Sequence, residues 1–574
     1  MKTLGDYIKP CTKAICFGLF LKSAGSILEL FLPSILSTII DEAVPAENIK
    51  MIIYLMILMV VCALGAWFLN IASNRNAASV ARDITHEIRH DLFEKTLYLS
   101  CEDTDKFTIP SLEGRLTTDT YNVHRMIGML QRMGVRAPIT MVGGLIMTFI
   151  LDPVLSLVFL AVMPFMIILI YLRATKGVPL FTLVQKASDK MIGVVRENSQ
   201  GIRVIKALSR TDYEKKRYAE VNHNLKDMEV HANLVMAAIN PFMNFFLNVG
   251  MVGVILVGAY RVNSGACEAG KILAFLTYFQ IISRSLMMVG RLFIMYSRGM
   301  ASSNRIMEVL NTPTEKDWEI EDNSEVKDEE YSLVFDHVNF SYLGVRNNVS
   351  AIDFKLKKGE SLGIIGATGA GKSTIFSLLL HFYHVKDGVI RVNGRDIRSM
   401  EPSKLRSMFG IVMQNDFLFA DSLRENIGFG RDLSDEELEE AMRNAQAKEF
   451  VDTLDDGLDH QLTTKGTNLS GGQRQRVLLS RAFANKPEFL LLDDSSSALD
   501  YQTDAQLRKA MAKAYGDSTK IIIAQRVSAV KNCTQIMVLD HGMVSGMGTH
   551  EALMEKNELY ASIAESQMGG ALFD

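Results

Sequence analysis

The sequence predicts an all-α membrane part with six spans, followed by an α/β domain. Three observations carry that expectation. The first is composition: 48% of the 574 residues are apolar and 22% charged, with a mean hydropathy of +0.13. A membrane part joined to a charged soluble part combines such values readily. The second is that apolar runs of spanning length are confined to the first 300 residues. The third is a glycine-rich loop between an apolar strand and an apolar helical run, at residues 363–374. The expected division is 1–310 for the membrane domain, 311–330 for an acidic linker and 331–574 for the second domain.

The spans are expected near 14–40, 51–72, 135–151, 154–172, 235–260 and 272–296, with Asp152-Pro153 as a tight turn. No cleavage-site pattern follows Met1–Pro10, so no signal peptide is expected. Loops Asp41–Lys50, Asp152-Pro153 and Asn263–Lys271 are short and poor in basic residues, whereas 73–134 and 173–233 are dense in Arg and Lys. The positive-inside rule then places both long stretches and both chain ends in the cytoplasm of a multi-pass plasma-membrane protein. Those stretches read as helical, so the spans are expected to continue below the bilayer as long cytoplasmic extensions. Breaks near Thr108-Ile109-Pro110-Ser111 and Ser209-Arg210-Thr211-Asp212 are candidate points of contact with the soluble part.

Polar residues also fall within or at the ends of the spans: Lys22, Glu29, Asn240, Asn244, Asn248, Gln280, Arg284, Arg291 and Arg298. A charged side chain in hydrocarbon faces a cavity or a partner. Arg284, Arg291 and Arg298 recur every seven residues and share a helical stripe. Two readings stand for them: Arg298 snorkels and Arg291 pairs with an acid, or the three line a cavity. The methionines of the spans suit an adaptable cavity, although lipid- or core-facing packing explains them as well. A net charge of −4, from 61 basic and 65 acidic residues, gives no sign of nucleic-acid binding. The six cysteines have neither C-x-x-C nor metal-ligand spacing and read as free thiols.

Gly366-Ala367-Thr368-Gly369-Ala370-Gly371-Lys372-Ser373-Thr374 fits the phosphate-binding pattern G-x-x-x-x-G-K-[ST] in its strand–loop–helix context. Its backbone amides can converge on phosphate oxygens at a helix N-terminus. Lys372 can bridge β- and γ-phosphates, and Ser373 can ligate Mg²⁺. This part is expected to bind a nucleoside triphosphate. Further on, Leu469-Ser470-Gly471-Gly472-Gln473 opens a helical run and forms a second anion site. Phe489–Asp494 is an apolar strand ending in two carboxylates, suited to Mg²⁺. The strands near Ser332–Phe335, Ser361–Ile365, Gly410–Met413, Phe489–Leu492 and Lys520–Ile523 predict a largely parallel sheet.

Together with Tyr342, Gln414, Ser497-Ala498-Leu499-Asp500 and Gln525, these motifs resemble an ABC transporter half of the exporter type over nearly the whole chain. The resemblance implies a P-loop ATPase domain of ABC type, with ATP and Mg²⁺ as cofactors. It implies adenine stacking on Tyr342, Mg²⁺ held by Asp493 and Ser373, and Gln414 at Mg²⁺ or the attacking water. It further implies head-to-tail pairing with a second ABC half-transporter. Each ATP then lies between one chain's phosphate loop and the other's Ser470–Gln473 equivalent. The breaks near 110 and 210 correspond to the family's coupling helices.

Two positions depart from the family pattern. The general-base glutamate is replaced by Asp494, one methylene shorter, and the switch histidine by Gln525. A misplacement of about 1 Å costs on the order of a hundredfold in rate. Glutamine can donate a hydrogen bond but carries no proton relay or charge. The expectation is therefore one subunit of a heterodimeric exporter of amphipathic substrates (drugs, lipids or peptides), touching membrane lipid, with weak hydrolysis at its own site. Drift within a working homodimer, a siderophore-type importer on the same fold, and a nucleotide-sensing regulator or channel are the alternatives. With no peptidase ahead of the first span, peptide processing is disfavoured.

Overall fold

The computed structural model describes residues 2–318, 320, 330–342 and 344–568. Of the acidic connector, 319 and 321–329 lie outside the described residues. The chain forms two compact units, Met1–Leu97 with Phe107–Thr312, and Tyr98–Lys106 with Pro313–Asp574.

The first unit is all helix. Six helical stretches are long and apolar enough to cross a membrane: Leu4–Ala43, Ile49–Leu97, Ile109–Leu151, Pro153–Gln200, Thr211–Asn263 and Ala269–Leu310. Helix Ile49–Leu97 has 49 residues and rises about 73 Å, more than twice the hydrocarbon thickness of roughly 30 Å. The apolar spans therefore do continue as polar helices. Asp152 caps helix Pro153–Gln200 by accepting from the amides of Val154 (2.8 Å) and Leu155 (3.1 Å). Proline at the first helical position loses no intrahelical bond, so Asp152-Pro153 both ends one span and starts the next. The two chain breaks carry left-handed backbone, at Thr108 (φ 63°) and Ser209 (φ 51°).

Polar groups inside the spans divide into two sets. Glu29 pairs with Arg136 at 2.8 Å and accepts from Asn70 at 3.1 Å. Buried Lys22 donates to Asn74 at 3.2 Å. The second set points outward: Asn240, Asn244, Asn248, Gln280, Arg284, Arg291 and Arg298 are all exposed in the single chain. Among the described residues the three arginines make no ion pair, so the expected acid partner of Arg291 is not found. The opposite face of helix Ala269–Leu310 buries Phe275, Tyr278, Phe279, Ile282 and Ser285.

The second unit contains two sheets. One has six strands in the order β10-β9-β3-β8-β7-β6, where β3 is Ser361–Gly366, β6 Phe409–Val412, β7 Phe489–Asp493, β8 Thr519–Ile523, β9 Gln535–Asp540 and β10 Met543–Gly548. Its pairs are parallel except β9–β10. The strand β7 is buried at every residue, as expected of a strand covered on both faces. The other sheet is antiparallel, ordered β2-β1-β4-β5, with β1 Leu333–Phe340, β2 Val349–Leu356, β4 Asp387–Val392 and β5 Arg395–Asp396. Ser332–Phe335 thus lies at the start of the antiparallel sheet and not in the parallel one. The alternating burial of β2 shows why: one face packs and the other is wet.

Candidate functional site

Four strands of the parallel sheet deliver the site at their C-terminal ends, where α/β sheets bind ligands. From β3 the chain leaves Gly366 into the loop and enters helix Lys372–Leu379. The strand β7 ends on Asp493, with Asp494 next; β8 leads to Gln525; and β6 leads to Gln414. A cavity of about 240 Å³ lies between them. It is lined by Thr368, Gly369, Gly371, Lys372, Ser373, Thr374, Gln414, Asp493, Asp494 and Gln525, joined by Asn348, Ile523 and Ala524.

The loop is held by its own atoms. Lys372 Nζ donates to the carbonyls of Gly366 and Ala367, both at 2.8 Å. Ala370 donates its amide to the Ala367 carbonyl at 3.2 Å. Gly371 has φ +94°, and a Cβ there would lie 2.7 Å from the Asn348 carbonyl oxygen. Burial pushes the Lys372 ammonium below its ordinary pKa, opposed by the Asp493 and Asp494 carboxylates. Burial raises Asp493, and the neighbouring Asp494 charge adds to that, against the hydrogen bond from Ser373.

Ser373 Oγ donates to Asp493 Oδ2 at 2.6 Å. A hydroxyl, a buried carboxylate and the Gln414 amide oxygen are hard donors in one cavity, a set that fits Mg²⁺ sharing its shell with phosphates and water. A divalent cation would also offset the repulsion between the two carboxylates.

Asp494 stands in left-handed backbone (φ 49°), its amide bound to the Ile523 carbonyl at 2.9 Å. The loop after β8 is clamped from helix Glu558–Met568. Gln567 Nε2 donates to the Gln525 carbonyl, and Gln567 Oε1 accepts from the Val527 amide, both at 2.8 Å. Replacing Gln567 by Leu removes both bonds, each worth about 0.5–1.5 kcal/mol. The expected result is faster amide exchange at 524–528, with the amides of Gly366–Thr374 unchanged.

Tyr342 is 43% exposed and lies outside the cavity lining. Its amide donates to Asn348 Oδ1 at 3.0 Å, and its ring meets Phe340 and Tyr383 edge-on at 4.8 and 4.9 Å. At that exposure part of the ring remains accessible to a stacking base. Asn348 escaped the sequence reading because no motif marks it; only the fold brings its carbonyl against Gly371. The segment expected to form a second anion site lies elsewhere. Ser470 Oγ accepts from the Gln473 amide (3.3 Å) and Gln473 Oε1 from the Ser470 amide (2.9 Å), a capping box on helix Gly471–Phe483. None of Ser470, Gly471, Gly472 or Gln473 lines the cavity.

Comparison with known proteins agrees with this construction. Residues 15–286 match the family described as ABC transporter transmembrane region, and 349–497 the family described as ABC transporter. The uncharacterized ABC transporter ATP-binding protein YfiB of Bacillus subtilis (strain 168) is 32% identical over 98% of both chains. The corresponding protein Rv1273c of Mycobacterium tuberculosis (strain ATCC 25618 / H37Rv) is 31% identical over 98% of this chain and 97% of its own. A solved structure of a bacterial Atm1-family ABC exporter with ATP bound shares the fold. Its TM-score is 0.80 over 98% of both chains, at 23% identity. The chain therefore belongs to the ABC transporters: a multi-pass membrane protein carrying its ATPase domain in the same polypeptide.

Proposed function

We propose that this chain is one subunit of an ATP-driven exporter of amphipathic substrates, paired with a different ABC half-transporter. The observation that carries the reading is the separation of the two anion sites. Ser470–Gln473 is intact and capped, yet it does not line the cavity built on Lys372 and Asp493. A second chain is the natural source of the missing donors for each site. The exposed Ile202, Val204 and Leu208 beside the second chain break also call for a partner to cover them. Asp494 and Gln525 in place of glutamate and histidine make this chain's own site the slow one of two. The basic-rich helical extensions support an ATP-binding domain and chain ends in the cytoplasm, with ATP and Mg²⁺ meeting there.

The test is ATPase activity and flux in inverted vesicles, for the chain alone and with its partner. Substrate-stimulated hydrolysis coupled to uptake into inverted vesicles supports export. Flux in the opposite direction supports an importer. Nucleotide binding without flux supports a sensor, and an active homodimer removes the heterodimer reading.

A second reading, on cargo charge, follows from the outward stripe. Arg284, Arg291 and Arg298 are exposed and, among the described residues, make no ion pair; Asn244 and Asn248 on the preceding span are exposed as well. Such groups do not face lipid without cost, so a cavity or partner surface takes them up. An anionic amphiphile is the cargo they suit. Replacing Arg284 and Arg291 by Gln should weaken anionic-cargo binding by about tenfold or more, with basal ATPase nearly unchanged. Equal loss for cationic compounds would instead mark a structural role.

A further inference from the structure

Within the second unit, the segment Tyr98–Lys106 is held at both ends. At its start the Tyr98 carbonyl accepts from the Glu315 amide at 3.0 Å, and the Lys316 ammonium lies 3.3 Å from the centre of the Tyr98 ring. Glu315 is itself forked onto Arg406 at 2.7 and 3.0 Å. Toward its end, the Tyr383 hydroxyl donates to Asp105 Oδ2 at 2.6 Å. That bond leads back to Tyr342. The Tyr383 ring stands perpendicular to Tyr342, 4.9 Å away at 90°, and both rings pack on Phe340.

We propose that Tyr383 is a positioning residue that senses a purine on Tyr342 and passes its presence to the segment Tyr98–Lys106 through Asp105. The inference rests on the reading of Tyr342 as the adenine platform. Its two perpendicular ring contacts and its partial exposure give the mechanism. A base stacked on the accessible part of the ring holds Tyr342 in one rotamer, and the perpendicular Tyr383 ring can then take only the matching position. A short bond to a carboxylate is strongly directional, so fixing the ring fixes Asp105. Burial, with the Asp105 carboxylate adding to it, raises the Tyr383 phenol above its ordinary pKa, which keeps it a donor at every physiological pH. The phosphates offer a competing route, since Tyr383 follows helix Lys372–Leu379 by a short loop. The experiment must separate base from phosphate.

Hydrogen exchange on the full chain in lipid nanodiscs does so. MgATP should slow exchange of the 98–106 amides by about threefold or more. Magnesium tripolyphosphate, at a level giving equal protection of the Gly366–Thr374 amides, should leave 98–106 unchanged. Tyr383→Phe keeps the ring and deletes the hydroxyl. It should abolish the ATP effect at 98–106 while ATP protection of Gly366–Thr374 persists, and Asp105→Ala should match it without adding to it in the double variant. Equal protection by tripolyphosphate, or persistence of the effect in Tyr383→Phe, overturns the proposal. Tyr342→Leu tests the underlying reading separately. An unchanged ATP affinity in that variant refutes the adenine platform itself, whatever Tyr383 does.

Discussion

Ser470→Ala should lower the ATPase rate of the assembled transporter by about 10²–10³-fold, the usual cost of one lost oxyanion donor. Asp494→Ala should change it by less than about twofold, because on the proposed unequal-site reading that residue is a poor general base. The contrast runs against intuition, since Asp494 occupies the nominal catalytic position. Ser470 and the amides of helix Gly471–Phe483 stand apart from this chain's cavity and are available to a γ-phosphate held by the partner. Gly471→Asp should be as severe, because it sets a carboxylate where phosphate must sit. Each variant is made singly in the purified pair, with hydrolysis and flux measured together. If Asp494→Ala silences the pair as fully as Ser470→Ala, the two sites are not unequal.

Gly371→Ala should remove ATP binding at this chain's own site, with affinity falling by about a hundredfold or more. Two costs combine. Left-handed backbone costs a residue with a Cβ about 1–2 kcal/mol, and Gly371 sits at φ +94°. The added carbon would also lie 2.7 Å from the Asn348 carbonyl and 2.8 Å from Val349 Cγ1, so backbone must shift. A shift there moves the amide of Lys372 and the Ser373 hydroxyl away from the phosphate and from Asp493. Photolabelling of each chain with azido-ATP reads the effect directly. The partner's site should keep its labelling. Unchanged labelling of this chain would show that the loop relaxes around the added carbon.

Much of this architecture was legible in the sequence because its signals are local. The six spans follow from uninterrupted apolar length, and the phosphate loop from nine consecutive residues between a strand and a helix. Strands β3 and β7 stood out as apolar runs because a strand buried on both faces carries no polar alternation. The antiparallel sheet was harder to see. Strand β1 opens on three buried apolar residues, Leu333, Val334 and Phe335, like a strand of the parallel set, and it pairs with β4 only across about fifty residues. Asn348 acts through its backbone carbonyl and Gln567 through its side-chain amide, each set in place only by the fold. Asp105 lies 278 residues from Tyr383, beyond any periodicity. The break expected near Thr108–Ser111 was placed correctly as a backbone event. The segment that groups with the ATPase unit is the one just before it, Tyr98–Lys106.

The two carbonyls that hold Lys372 have a consequence for selectivity among anions. An ammonium already satisfied by Gly366 and Ala367 is not an open trap for any passing negative ion. A small anion such as inorganic phosphate must displace those carbonyls and recovers only a few contacts in exchange. A triphosphate spreads over the whole row of loop amides and gives the lysine two phosphate groups to bridge, so the exchange becomes favourable. The loop is thus expected to act as a threshold on chain length of the phosphate. It admits polyphosphate against a background of abundant monophosphate without reading a base at all.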